Sequence, residues 1–128
     1  MDENKVLVVD DDVFIRDIFK QALTRAGFRV LLAKSAEEAL DILKGEKIEV
    51  LFLDLNLPEM NGLDLCIEIR KTLPLAVIYA VTGYGSLFEL ADCRKAGFDD
   101  YFSKPVDLAT LARAAKEGFE KIAGRIDG

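Results

Sequence analysis

Apolar positions in this chain follow two alternating rhythms. Short continuous runs of Val, Leu, Ile and Phe are separated by longer stretches in which apolar residues recur every three or four positions. A continuous run bounded by turn residues reads as a strand buried on both faces, and a 3.6-residue recurrence as an amphipathic helix. The runs predict strands at Lys5–Asp10, Arg29–Ala33, Val50–Asp54, Ala76–Thr82 and Asp100–Ser103. In the first intervening helix Phe14, Ile15, Ile18, Phe19, Ala22, Leu23 and Ala26 keep one face, and Gly27 stops it. The second opens on the capping box Ser35-Ala36-Glu37-Glu38 and buries Ala39, Leu40 and Leu43 before Gly45. The third follows Asn61-Gly62 and uses Leu63, Cys66, Ile67 and Ile69. A second capping box, Ser86-Leu87-Phe88-Glu89, starts the fourth, which ends at Gly97. The fifth begins near Asp107, with Leu108, Leu111, Ala112, Ala115, Phe119 and Ile122 on one stripe, and leaves a frayed tail over 124–128. Strand followed by helix, five times over, predicts an α/β fold with a parallel sheet covered on both faces. With no linker, repeat or low-complexity segment, the expectation is one domain over 1–128 with a core of about 4–123.

Composition narrows the chemistry. A chain of 128 residues is long enough to bury a core without staples. The net charge of −6 offers no footprint for nucleic acid. No apolar stretch reaches the ~18 residues of a membrane span, and Met-Asp-Glu-Asn-Lys is no signal peptide, so the chain reads as cytoplasmic and free of membrane contact. Cys66 and Cys93 then read as reduced structural thiols. The chain has no histidine, which excludes histidine acid–base catalysis and most zinc or iron sites. A metal here would be oxygen-bound: Mg²⁺, Mn²⁺ or Ca²⁺.

The strand ends concentrate the reactive side chains. Val6-Leu7-Val8-Val9 runs into Asp10, Asp11 and Asp12, and Val50-Leu51-Phe52-Leu53 into Asp54, with Leu57-Pro58 breaking the chain soon after. Open α/β sheets place ligands at the carboxyl ends of their strands. If the two strands are neighbours, Asp10, Asp11 and Asp54 meet and repel unless a cation joins them, and Mg²⁺ suits such a site. Asp12 is assigned to capping the first helix. The fourth strand ends on Thr82, whose hydroxyl can donate to a phosphoryl oxygen or simply close the strand as a β-branched residue. The fifth runs into Lys104-Pro105; a lysine there can neutralise a phosphoryl group or pair with Asp54, and a cis bond before Pro105 would aim it inward.

These residues resemble the receiver domain of bacterial two-component response regulators. The matching positions are Asp10-Asp11, Asp54, Pro58 and Gly62, Thr82, and Lys104-Pro105, and the likeness runs from Lys5 to about Ile122. It implies a flavodoxin-like, doubly wound (βα)5 three-layer sandwich with strand order 2-1-3-4-5. It implies that Asp54 accepts a phosphoryl group from a sensor histidine kinase or phosphotransfer protein. Asp11 and Asp54 would hold Mg²⁺ (or Mn²⁺) directly, Asp10 through water and Asn56 through its backbone carbonyl. No other cofactor is implied. Thr82 and Lys104 would contact the phosphoryl oxygens, and Thr82 and Tyr101 would form the switch. Pro58, Gly62 and Pro105 would be structural, and Asn56 and Tyr84 would tune hydrolysis. The output surface would be the fourth helix, fifth strand and fifth helix, meeting a downstream protein, an output domain or, on phosphorylation, a second copy.

The likeness has departures and rivals. Gly83 follows Thr82 where a small Ala is more usual in the family, and Tyr84 is bulky for its place. The sequence stops after the fifth helix, which suits a stand-alone receiver or one cut from a longer regulator or hybrid kinase. A haloacid-dehalogenase-type phosphohydrolase would need a second Asp two residues after the nucleophile, where this chain has Asn56. A flavodoxin would need a hydroxyl-rich phosphate loop where three aspartates stand. An inert receiver-like scaffold usually lacks one of the key residues, and all are present here.

Overall fold

The structure is a computed structural model that describes residues 4–83 and 90–127. Among these, five strands and five helices alternate: β1 Lys5–Val9, α1 Val13–Arg25, β2 Arg29–Ala33, α2 Ala36–Gly45, β3 Val50–Asp54, α3 Gly62–Thr72, β4 Val77–Thr82, α4 Leu90–Ala96, β5 Asp100–Ser103 and α5 Leu108–Asp127. The strands form one parallel sheet in the order β2-β1-β3-β4-β5. The flavodoxin-like topology is therefore present as expected, and the strands match the apolar runs to within a residue. The capping box at 86–89 and the side chains of Tyr84, Leu87, Phe88 and Leu90 lie outside the described residues.

Successive side chains on each strand point to opposite faces, and both faces are covered. Leu7, Val9, Leu51, Leu53, Ile78 and Ala80 pack beneath α2, α3 and α4 with Leu65, Cys66, Ile69 and Cys93. Val6, Val8, Val50, Phe52, Val77, Tyr79 and Val81 pack beneath α1 and α5 with Phe19, Leu23, Leu111, Ala115 and Ile122. β1, β3 and β4 are buried almost throughout because they lie inside the sheet; β2 and β5 are its edges and are only partly covered. Both cysteines are buried and unpaired, as free thiols. Burial pushes the Cys66 thiol up to about 12, so it stays protonated.

The helix starts follow the local chemistry. Asp12 caps α1 by accepting the Phe14 amide (2.9 Å), Ser35 caps α2 by accepting the Glu38 amide (3.1 Å), and Asn61 caps α3 by accepting the Asp64 amide (2.9 Å). The helix faces need correction. On α1, Phe19 and Leu23 are buried, but Phe14 is 74% exposed, and Ile18 and Ala26 also face outward. On α3, Leu65 takes the inward place expected of Ile67, which is exposed. On α5, Leu108 is exposed while Ala114 and Gly118 are buried. A 3.6-residue stripe is broader than the line along which a helix touches a sheet, so its margins stay in solvent. α5 is helical through Asp127. Among the described residues no helix is long and apolar enough to cross a membrane.

Candidate functional site

β1 lies between β2 and β3, so the chain leaves β1 in one direction and returns to β3 on the other side. α1 covers one face and α2 the other, which opens a crevice at the carboxyl ends of β1 and β3. Val9 pairs with Leu53 across these strands, so the residues that follow them, Asp10 and Asp54, emerge side by side. Carboxylate oxygens of Asp10, Asp11 and Asp54 all lie within 4.8 Å of one another. Asp10 and Asp54 are buried and Asp11 is exposed, so the cluster has a closed floor and one open side.

Each buried acid is held by the backbone near it. Asp10 Oδ1 accepts the Asp12 amide at 2.9 Å, and Asp54 Oδ1 accepts the Asn56 amide at 3.1 Å. The loop after β3 folds tightly behind Asp54. The Gly62 amide donates to the Leu55 carbonyl at 3.0 Å, and a Cβ on Gly62 would stand 2.8 Å from Leu55 Cα and press into the Asp54 carbonyl. Only glycine fits that approach. Pro58 is exposed in the same loop, where its carbonyl accepts the Met60 amide at 2.8 Å and Glu59 takes a left-handed φ of 66°.

The other two strand ends complete the site. Thr82 closes β4 and is 2% exposed; among the described residues its hydroxyl has only a long contact, 3.5 Å, to the Gly83 carbonyl. Lys104 follows β5, its amide donates to the Thr82 carbonyl at 2.8 Å, and the Lys104–Pro105 peptide is cis. The Lys104 ammonium lies 2.8 Å from Asp10 Oδ2 and 3.6 Å from Asp54 Oδ2. From the sequence, Asp54 is one of two partners open to this lysine, the other being a phosphoryl group; its shorter contact is to Asp10. Burial alone would lower the Lys104 pKa; the hydrogen bond and charge of Asp10 outweigh it, Asp54 adds to them, and the ammonium titrates above its ordinary range. Asp54 behaves in the opposite sense. Burial raises its pKa, the Asn56 amide opposes that, repulsion from Asp10 adds to it, and Lys104 lowers it too little to reverse the direction. Both shifts are upward, through burial at Asp54 and through the neighbouring carboxylates at Lys104.

Three carboxylates against one ammonium leave the centre with excess negative charge. The donors are all oxygen and the chain has no histidine, so the set fits a hard divalent cation of the Mg²⁺ type. Asn56 is exposed just beyond Asp54, and Tyr101 is half-buried, packed on the core between β5 and α4. Tyr84 lies outside the described residues.

One residue at the site escaped the sequence reading. Arg16, at the end of the first turn of α1, donates from Nη1 to the Asp10 carbonyl at 2.7 Å. The signal was present: a cation near a helix N-terminus opposes the helix dipole and calls for a local anion or carbonyl.

Fold and site together define a doubly wound α/β domain with an acidic centre and one lysine at the carboxyl edge of its sheet. Residues 6–116 match the family model described as the response regulator receiver domain. A response regulator receiver domain protein (CheY-like) from Methanospirillum hungatei superposes with a TM-score of 0.91 at 33% identity, covering 97% of this chain and 99% of that one. A cyclic di-GMP phosphodiesterase of Thermotoga maritima is 35% identical over 106 residues, which is 83% of this chain and 28% of that protein. The response regulator MprA of Mycolicibacterium vanbaalenii is 35% identical over 107 residues, 84% of this chain and 46% of that protein. This chain belongs to the receiver domain family of response regulators, the phosphorylation-activated switches of two-component systems. It spans between a quarter and a half of the length of these two curated relatives. Receiver domains typically bind Mg²⁺ in an acidic pocket and interact with kinases and output domains. Neither a phosphohydrolase nor an inert scaffold is favoured by this match.

Proposed function

We propose that Asp54 is the phosphoacceptor, and that a sensor histidine kinase or phosphotransfer protein supplies the phosphoryl group. A carboxylate oxygen of Asp54 forms a bond to phosphorus as the phosphorus–nitrogen bond of a donor phosphohistidine breaks, and the imidazole leaves with the electron pair. Asp11 and Asp54 would hold Mg²⁺ directly, Asp10 through water, and Asn56 through its backbone carbonyl. The bound cation supplies neutralisation of charge on the acids and on the phosphoryl oxygens. The chain's own residues supply position: the Asn56 amide orients Asp54, and Gly62 fixes the backbone beneath it. Lys104, already directed at Asp10 and Asp54, is the cation available to a phosphoryl oxygen, and Thr82 offers a buried hydroxyl without a strong partner among the described residues. The observation that carries this reading is the convergence of Asp10, Asp11 and Asp54 within 4.8 Å beside Lys104.

The switch is assigned to Thr82 and Tyr101. Thr82 ends β4, where a shift toward a phosphoryl group would pull on the neighbouring β5, and half-buried Tyr101 on β5 is the side chain that would turn inward in response. The readout is the α4-β5-α5 surface, presented to a downstream protein, an output domain or a second phosphorylated copy. Asn56 and, from its place in the sequence, Tyr84 are assigned to the lifetime of the phosphoryl group. The exposed face of α1 formed by Val13, Phe14 and Ile18 lies beside the acidic centre and suits docking of the donor protein.

Acetyl phosphate and intact-mass measurement test the central claim. One phosphoryl adduct is expected in Mg²⁺, none in excess chelator, and none on Asp54→Ala. Full labelling of Asp54→Ala would remove Asp54 from the role.

A further inference from the structure

The carbonyl of Asp10 sits where strand pairing runs out. β1 ends at Val9, and although the Asp10 amide still donates to the Ala33 carbonyl at 3.0 Å, the chain then turns into α1 through Asp11 and Asp12. Every other anchor on Asp10 acts on its amide or its carboxylate: the Asp12 amide on Oδ1 and Lys104 on Oδ2. Among the described residues it is Arg16 that takes the carbonyl, at 2.7 Å, reaching back from α1 to do so. The Arg16 amide also donates to the Asp12 carbonyl at 3.1 Å, so backbone and side chain of one residue close the turn from both ends.

We propose that Arg16 is a positioning residue for the acidic centre, holding the β1–α1 turn through the Asp10 carbonyl so that Asp10 and Asp11 face Asp54. Asp11 is the exposed member of the triad, and no contact of its own carboxylate within the protein is seen among the described residues, so its place is set by the backbone of this turn. The inference rests on the reading of the centre as a cation site. It also makes a prediction opposite in sign to simple electrostatics. If Arg16 acted only through its charge, removing a cation from beside three carboxylates would tighten Mg²⁺ binding. If it positions the turn, removing it weakens binding even though the net charge becomes more favourable.

Isothermal titration of the full chain with Mg²⁺ decides between them. Arg16→Ala is expected to bind Mg²⁺ about tenfold more weakly than wild type, the loss typical of a residue that orients metal ligands. Arg16→Lys keeps the reach and one donor, and is expected to recover most of that loss. Where Arg16→Ala does not fold, Arg16→Met keeps the apolar stem without donors and carries the same expectation. Unchanged or tighter binding in the folded variants overturns the role of Arg16, as does a lowered Tm with wild-type affinity. Absence of Mg²⁺ binding by wild type itself instead overturns the reading of the centre.

Discussion

At the scale of a residue, the centre is held in a state that suits binding rather than stability. Asp54 is 4% exposed, and burial followed by repulsion from Asp10 and Asp11 outweighs the help of the Asn56 amide and Lys104. A carboxyl whose folded pKa is raised costs stability once it ionises, above that pKa, and the cost is relieved as pH falls through it. Asp54→Asn removes the charge and keeps an acceptor for the Asn56 amide. In chelator it is expected to melt higher than wild type, by about 1 kcal/mol or roughly 4 °C for a domain of this size. Added Mg²⁺ should raise the melting temperature of wild type and leave the variant little changed, because only a state with a binding site is stabilised by mass action. A variant that melts lower than wild type in chelator would show that the carboxylate is not the burden described here.

At the scale of an element, α5 is registered against β4 by a contact that no periodicity reveals. The Tyr79 hydroxyl donates to the Ala114 carbonyl at 2.8 Å, beneath Gly118, where an added Cβ would approach that same hydroxyl to 3.2 Å. The ring packs on Phe52 and Phe102, with the Lys121 ammonium 5.6 Å from its centroid. Burial pushes the phenol pKa up, so it stays a donor. Tyr79→Phe leaves the carbonyl without this partner and is expected to lose about 1 kcal/mol, read by urea unfolding. No loss would mean that water replaces the hydroxyl. Tyr79 read as one more apolar strand position, because the sequence shows its place on β4 but not which helix passes over it. Phe14, Ile18 and Ile67 erred the other way: their spacing marks a helix face, while the narrow line along which the helix touches the sheet decides how much of that face is covered.

At the scale of the whole molecule, a charged clasp closes the end of the sheet opposite the acidic centre. Asp99, just before β5, accepts the Ile78 amide at 2.8 Å, pairs with Arg70 of α3 at 2.7 Å and pairs with Arg125 of α5. Arg70 also donates to the Gly97 carbonyl at 2.7 Å, and Arg125 to the carbonyls of Leu75 at 3.0 Å and Ala76 at 2.9 Å. Two helices and the start of β4 thus meet at one carboxylate, and the two arginines extend the clasp to the carbonyls of neighbouring loops. Burial alone would raise the Asp99 pKa, but the Ile78 amide and then the hydrogen bond and charge of Arg125 and the charge of Arg70 lower it below the reference value of 3.8. With the folded pKa below the unfolded one, its contribution is full above 3.8 and is lost as pH falls through the lower folded value. Asp99→Ala leaves Arg70 and Arg125 with carbonyl partners alone and is expected to cost about 2 kcal/mol at neutral pH. That gap from wild type should close as unfolding is measured at increasingly acid pH. A gap independent of pH would point to packing rather than charge.

The sequence by itself determined the five strands and the side chains that stand at their carboxyl ends: Asp10, Asp11, Asp54, Thr82 and Lys104. Buried strands need unbroken apolar runs, and a site at the carboxyl edge needs polar residues immediately after them. Tertiary structure decided what depends on distance between remote segments. It brought Lys104 closer to Asp10 than to Asp54, laid Arg16 on a carbonyl six residues back, and gathered Arg70, Asp99 and Arg125 from two helices and a loop. It also left Phe14 in solvent and placed the Tyr79 hydroxyl under α5. Periodicity along a chain records which way a side chain points from its own element; which partner it meets is set by the packing of the others.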